Sequence, residues 1–237
     1  MVAIPGGAEP AGKRVAVMQP YFFPYAGYFR LLNAVDHFVI FDCVQFPRRG
    51  RVHRAAVTGP DGEMEWLTLP LEKQPRDVLI SELAFAPEAR RLFDSRLARH
   101  AWLTQARGAE HERLRAFFYG PLRTVVDFLE EELRLVADLL GFNPHFSRSS
   151  ALCLSPDIKA QERVIAVVKA VGGAHYLNSP AGRGLYDPQH FAARDLTLSF
   201  LPHYRGPYTC ILPALLTQPH SEIRADILAS TAWEPPI

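Results

Sequence analysis

The sequence predicts an α/β fold, a mainly parallel sheet with helices on both faces and a helical middle segment. Three observations predict it. The chain opens as strand, helix, strand, and from Phe146 onward it runs strand, helix, strand, helix, strand, the alternation that crossover connections produce. The second strand candidate, Phe38-Val39-Ile40-Phe41, is an unbroken apolar run, as in a strand covered on both faces. Between these two regions, residues 87–141 carry helical spacing. Together these describe a Rossmann-like sheet interrupted by a helical insertion.

Taken in order, residues 1–12 are rich in Gly, Pro and Ala and read as a disordered tail, with 13–237 as one domain. Arg14–Met18 is a short β-branched run closed by Pro20, hence a strand. A loop with Pro and aromatic residues, 19–24, leads to a helix over Tyr25–Val35, where Pro24 suits the first turn. His37–Val44 is the second strand. Residues 47–63 hold Pro47, Gly50, Gly59, Pro60 and Gly62 and read as a polar loop or hairpin. Trp66–Leu71 alternates apolar and polar and reads as a strand, as does Leu79–Phe85. Helices are expected over Pro87–Gln105, Ala109–Tyr119 and Pro121–Leu140. In the last, Leu122, Val125, Val126, Leu129, Leu133, Val136 and Leu140 share one face, with Pro121 at the start and Gly141 past the end. Phe146–Leu152 is a strand, Ser155-Pro156-Asp157 caps a helix that Gly172-Gly173 stops, and Ala174–Leu177 is a strand. A glycine-rich loop, Ser179–Tyr186, precedes a helix at Pro188–Arg194, a strand at Leu196–Leu201 and a helix near Ser221–Ser230.

Composition narrows the partners. Of 237 residues, 48% are hydrophobic and 22% charged, ordinary values for a chain that buries one core without metals or disulfides. A net charge of +1 gives no global field to draw nucleic acid or an anionic membrane. The three cysteines, Cys43, Cys153 and Cys210, form no CxxC pair and no even framework, so a reducing cytoplasm is expected and neither zinc nor a disulfide scaffold is. His53, His100, His175 and His203 show no ligand spacing, so no metal is expected. No run of about 18 apolar residues exists to cross a membrane, and the first twelve residues lack the basic start and apolar run of a signal peptide.

In parallel sheets of this kind ligands bind at the carboxyl ends of the strands. That edge would carry the 19–25 loop and the 178–186 loop. Gln19 and Gln45 end the first two strands, and Asp42 lies at the same end as Gln45, a candidate general base if its surroundings tune it. Tyr21, Tyr25 and Tyr28 either line a ligand pocket with their hydroxyls or pack against the sheet. In Pro24-Tyr25-Ala26-Gly27-Tyr28 the placement resembles the His-x-Gly-His turn of nucleotidyltransferases, with Gly27 allowing close approach. A neutral phenol supplies no positive charge, so nucleotide binding fits better than adenylyl transfer by that route. The cluster Arg48, Arg49, Arg51 and Arg54 suits a phosphate or carboxylate, and Ser179, Gly182, Arg183 and Gly184 could present backbone N–H groups and one cation to an anion. Lys159 and Arg163, one helical turn apart, read as an exposed face. Cys43 beside Asp42, with His53 as base, is the one nucleophile arrangement available, though a strand cysteine is usually a small buried hydrophobe.

The segment Met18–Gln45, MQPYFFPYAGYFRLLNAVDHFVIFDCVQ, resembles the opening signature of the WbqC-like family. The matching positions are Gln19, Pro20, Tyr21, Phe22, Pro24, Tyr25, Gly27, Tyr28, Phe29, Asp36, Asp42, Val44 and Gln45. Trp66–Pro70, Ser149-Ser150, the Lys159–Ile165 helix start, Gly173-Ala174, Tyr176-Leu177 and Tyr186-Asp187 are similar too. The family's usual Gly-Trp and Asn-Arg-Asn-Arg stretch is replaced by Arg49-Gly50-Arg51-Val52-His53-Arg54-Ala55-Ala56, its two-Asp start by Asp42-Cys43, and its C-terminal Ser-Ile-Ile-Asp-Leu-Leu by Ile223-Arg224-Ala225-Asp226-Ile227-Leu228. If the lost polar residues read the substrate, this chain takes a different one. The resemblance implies a place in O-antigen or natural-product biosynthesis and a transferase that passes an acyl or aminoacyl group to an amine. On that reading Asp42 and Tyr28 are catalytic, and Gln19, Tyr21, Tyr25, Gln45, Arg49, Arg54, Ser179 and Arg183 bind substrate around one cavity. The partners are a small-molecule or carrier-linked donor and an amine acceptor, with nucleic acid entering only as an aminoacyl-tRNA, and no cofactor is named. An ATP-dependent ligase or nucleotidyltransferase, and a non-catalytic carrier-protein-binding module, are the alternatives.

Overall fold

The computed structural model describes residues 12–59, 61–105 and 108–231; the tail expected over 1–12 falls outside these except for Gly12. Five strands make one parallel sheet: β1 (Arg14–Met18), β2 (His37–Ile40), β5 (His145–Arg148), β6 (His175–Asn178) and β7 (Thr197–Phe200), in the order β5-β2-β1-β6-β7. The first two strands and the third step outward in one direction, and the last two step outward in the other. The order therefore reverses between β1 and β6. The β1–β2 ladder runs the full strand, from Val15↔His37 to Met18↔Ile40, whereas β1–β6 pairs only at Arg14↔His175 and Val15↔Tyr176. Outside the carboxyl ends of these two central strands lies the switch point of the sheet. This is the crevice that open parallel sheets form where the winding changes direction.

Side-chain alternation splits the interior into two cores. On one face Ala16, Phe38, Ile40, Phe146 and Leu177 meet α1 (Ala26–Ala34), α5 (Val125–Leu139), α8 (Ile211–Thr217) and α9 (His220–Ala229). On the other face Val15, Val17, Val39, Tyr176, Leu198 and Phe200 meet α6 (Ala160–Ala170) and α7 (Pro188–Ala192). Every residue of β2 and β6 is buried, which is why neither shows polar alternation. Among the described residues no helix is long and apolar enough to cross a membrane.

Between β2 and β5 the chain inserts an antiparallel hairpin, β3 (Arg54–Thr58) and β4 (Met64–Thr68), and the helices α2 (Ala89–Leu97), α3 (Ala101–Gln105), α4 (Ala109–Tyr119) and α5. The stretch 47–63, read as a loop or hairpin, does supply the first strand and the turn of a hairpin, with Ala55, Ala56 and Val57 buried. Several other expectations are corrected. The strand expected at Leu79–Phe85 is a 3₁₀ turn, Ile80–Glu82, flanked by single bridges Gln45↔Leu79 and Leu71↔Phe85. The single helix over Pro87–Gln105 breaks after Leu97. No breaker residue lies there; tertiary anchors decide it, with His100 buried 3.4 Å from Glu65 and Trp102 Nε1 donating to the Thr58 carbonyl. The long amphipathic helix starts at Val125 rather than Pro121, since Thr124 Oγ1 accepts from Asp127 N at 3.1 Å and forms the cap. The strand expected to Leu152 ends at Arg148 and turns into a 3₁₀ segment, Ser149–Leu152. α8 was not expected at all.

Candidate functional site

The loop after β1 is built by its own aromatics. Phe22 and Phe23 turn inward, against Phe93, Phe117, Phe118 and Phe128 at ring separations of 5.2–6.3 Å. Phe23 takes φ +40°, a region that L side chains avoid. Its N–H is held by the fully buried carboxyl of Glu132 on α5, at 3.2 Å. Anchoring the two phenylalanines leaves Tyr21 and Tyr25 on the outer side of the loop, both half-buried, and neither hydroxyl has a hydrogen-bond partner among the described residues. Tyr28 is different. It is buried, its ring sits 5.6 Å from that of Tyr21, and its hydroxyl donates to the Gln19 carbonyl at 2.8 Å. Burial pushes the Tyr28 phenol well above its ordinary pKa, with Tyr21 and Glu132 adding to the effect. A hydroxyl so placed fixes the loop; it has no proton to move near neutral pH.

Burial also raises the Tyr21 phenol, and the Arg51 guanidinium pulls it part of the way back. Arg51 reaches this position because its carbonyl accepts from Phe22 N at 3.0 Å, which lays the 50–53 segment across the aromatic loop. Tyr25 packs 5.9 Å from Tyr204, a residue of the connection after β7, and Ala26 N donates to the Tyr208 carbonyl of that same connection. Gly27 permits this closeness: a Cβ there would stand 2.1 Å from the Tyr25 ring and 2.7 Å from Tyr204 Cβ. The structure therefore gathers Gln19, Tyr21, Tyr25 and Tyr28 at the end of β1, brings Arg51 of the basic cluster to them, and adds Tyr204, a residue without a role in the sequence reading.

Asp42 belongs to a second group. Its carboxylate is 1% exposed and accepts from Ser149 Oγ (3.0 Å), Ser150 N (2.9 Å) and Ser150 Oγ (2.6 Å), tying the end of β2 to the end of β5. Ser149 Oγ in turn accepts from Asp42 N and Cys43 N. With both oxygens engaged, this carboxylate acts as a staple between strands. Beside it Cys43 Sγ is 3.9 Å from Arg163 Nη1; His53 packs instead on Phe46, at 5.0 Å, and no contact joins it to Cys43. Burial lowers the His53 imidazole to about 4. Arg163 is no free surface cation, because it also donates to the Ile158 and Ser155 carbonyls.

The remaining candidates are placed apart. Gln45 is exposed and donates to the Arg76 carbonyl at 2.8 Å. Arg54 turns onto its own loop, donating to the Gly50 and Arg49 carbonyls, and its guanidinium stacks 4.3 Å from the Trp66 ring centre. Arg49 is exposed. The expectation that Gln19, Tyr25, Asp42 and Gln45 share one cavity is thus replaced: the Gln19 carbonyl is joined to Tyr28, Tyr25 packs on Tyr204, and Asp42 and Gln45 are each bound elsewhere. Across the crevice, β6 ends at Asn178, 5% exposed, whose Oδ1 accepts from Ser179 N at 2.7 Å. Gly182 is needed there, since a Cβ would lie 2.2 Å from Asn178 Nδ2. Arg183 lies 5.1 Å over the Phe200 ring at the end of β7. The glycine loop thus follows β6 beside the crevice. Two surface grooves, of about 510 Å³ by Asp157, Glu162 and Arg194 and about 540 Å³ by Phe85, Arg90 and Thr124, contain none of the candidate residues. Among the described residues no group of three or more His, Cys, Asp or Glu is placed to hold a metal ion.

The uncharacterized protein Rv1507c of Mycobacterium tuberculosis is 24% identical over 198 residues, 81% of this chain and 83% of that one. No solved structure matches the chain. The model of the WbqC-like protein family matches residues 19–214, from the first residue after β1 into α8, and so takes in both loops of the crevice. The chain belongs to the WbqC-like protein family.

Proposed function

We propose that the protein is a transferase that passes an acyl or aminoacyl group to an amine in sugar or natural-product biosynthesis, working at the carboxyl ends of β1 and β6. The observation that carries the reading is the pair of unpartnered phenols, Tyr21 and Tyr25, beside Arg51 at the carboxyl end of β1. Acyl transfer concentrates negative charge on the carbonyl oxygen as the amine attacks, and fixed hydrogen-bond donors stabilise that charge. Neutral phenols are such donors. Arg51 supplies the cation for an anionic leaving group on the donor, a thioester carrier, a nucleotide-linked acid or an aminoacyl-tRNA. Tyr28 and Asp42 hold the loop and the strand ends; they position the donors without touching substrate. The three free cysteines, Cys43, Cys153 and Cys210, are in keeping with a reducing cytoplasm.

The test incubates the intact chain with each donor class and an amino-sugar acceptor, with product followed by mass spectrometry. One donor class should give acylated amine without ATP. Tyr21→Phe with Tyr25→Phe should lower kcat/KM by about 100-fold or more, and Arg51→Gln should act mainly on KM. Turnover only with ATP, releasing pyrophosphate or ADP, would convert the reading to a ligase. Full activity in the double Phe variant would remove the phenols from the chemistry.

A further inference from the structure

Arg30 on α1 is 1% exposed, the largest of the fully buried side chains. Its Nη1 donates to the Pro202 carbonyl at 2.9 Å, and its Nε and Nη2 find no acceptor among the described residues. These two nitrogens are not an arbitrary pair. In a guanidinium, Nε–H and the nearer Nη2–H point the same way and make the edge that grips two oxygens of one oxyanion. The bond to Pro202 fixes the plane, so the free edge is held in one direction. A buried cation without partners for its N–H groups is costly. Nearby polar groups do not repair it. Burial lowers the Arg30 pKa, and Tyr25, Tyr204 and Asp226 only oppose that from a distance. Asp226 is itself engaged, its Oδ2 accepting from Tyr204 at 2.6 Å.

The location adds a second argument. Pro202 follows the carboxyl end of β7, and Arg30 lies one turn into the helix that begins after Tyr25. The free edge is therefore set at the working end of the sheet, behind Tyr25 and Tyr204. We propose that Arg30 is a receptor for a small carboxylate, bound bidentately through Nε and Nη2. A carboxylate matches one edge and one charge. A phosphate dianion needs more donors than that edge offers and would bring a second negative charge toward Asp226. The site shares Tyr25 with the proposed transfer reaction, but carboxylate binding is read without turnover, so either can fail while the other stands.

The experiment is a titration of the ¹⁵N-labelled intact chain with acetate and with glycine, following the Arg30 Nε–Hε resonance, with acetamide, sodium chloride and inorganic phosphate as parallel arms. The resonance should shift and saturate with both carboxylates and stay still with acetamide and chloride. Arg30→Lys keeps the charge but loses the fork and should weaken binding by about tenfold. Should that variant not fold, the resonance is assigned from its own side-chain correlations and the native titration decides alone. An unmoved resonance, or an equal response to acetamide, would mean that the edge is filled by water and would overturn the proposal. Saturation by phosphate alone would overturn the carboxylate assignment.

Discussion

Replacing Asp42 tests whether its carboxylate is a strand staple or a base. Three hydrogen bonds converge on it, from Ser149 Oγ, Ser150 N and Ser150 Oγ. Hydrogen bonds to a charged group contribute about 1.5–3 kcal/mol each. Ser150 is exposed, so its hydroxyl can turn to water and its share is small. The two protected bonds remain, from which the cost of holding a charge in the interior must be subtracted. Asp42→Ala should therefore cost about 2–4 kcal/mol, a fall in melting temperature of roughly 5–15 °C for a domain of this size. Asp42→Asn keeps one acceptor oxygen for Ser149 and Ser150 N and should cost about 1 kcal/mol. Urea titration by circular dichroism measures both. An Asp42→Ala protein within about 0.5 kcal/mol of the native one would refute the network. Activity then separates the roles: a staple loses activity only with the folded fraction, whereas a general base would lose about 10²–10⁴ in kcat in a folded Asn variant.

The remaining predictions concern pH. Glu132 is fully buried, with one oxygen accepting from Phe23 N and the other without a partner in the chain, and burial drives its carboxyl pKa well above the ordinary 4.5. A carboxyl raised in the folded state stabilises below its unfolded value and loses that contribution as pH rises through the folded value. Glu132→Gln should flatten this decline in urea midpoints measured from pH 5 to 9; identical slopes in the two proteins would contradict the burial argument. His37, His53 and His175 run the other way. Burial lowers each from 6.5 to about 4, so their contribution is complete above pH 6.5 and fades as pH falls toward 4. Thermal unfolding between pH 7 and 4 should show the fall, and His53→Phe should remove its share; an unchanged acid limb in that variant would show that His53 titrates normally.

Local signals settled much of this protein in advance. The apolar run of β2, the amphipathic face of α5 and the alternation after Phe146 identified a parallel sheet with helices on both faces, since covered strands and one-sided helices leave their mark in the order of residues. The density of the Gln19–Gln45 signature placed the family. Tertiary structure decided what is non-local. Asp42 and Gln45 sit in the same short segment, yet Ser149 and the Arg76 carbonyl, brought from distant parts of the chain, take them to different tasks. Arg54 reads as a substrate clamp until Trp66 folds beneath it. Arg51 was legible only as one of a basic cluster, and Tyr204 and Arg30 carried no sequence signal, because an unmatched hydrogen-bonding edge becomes visible only when every other group has found its partner.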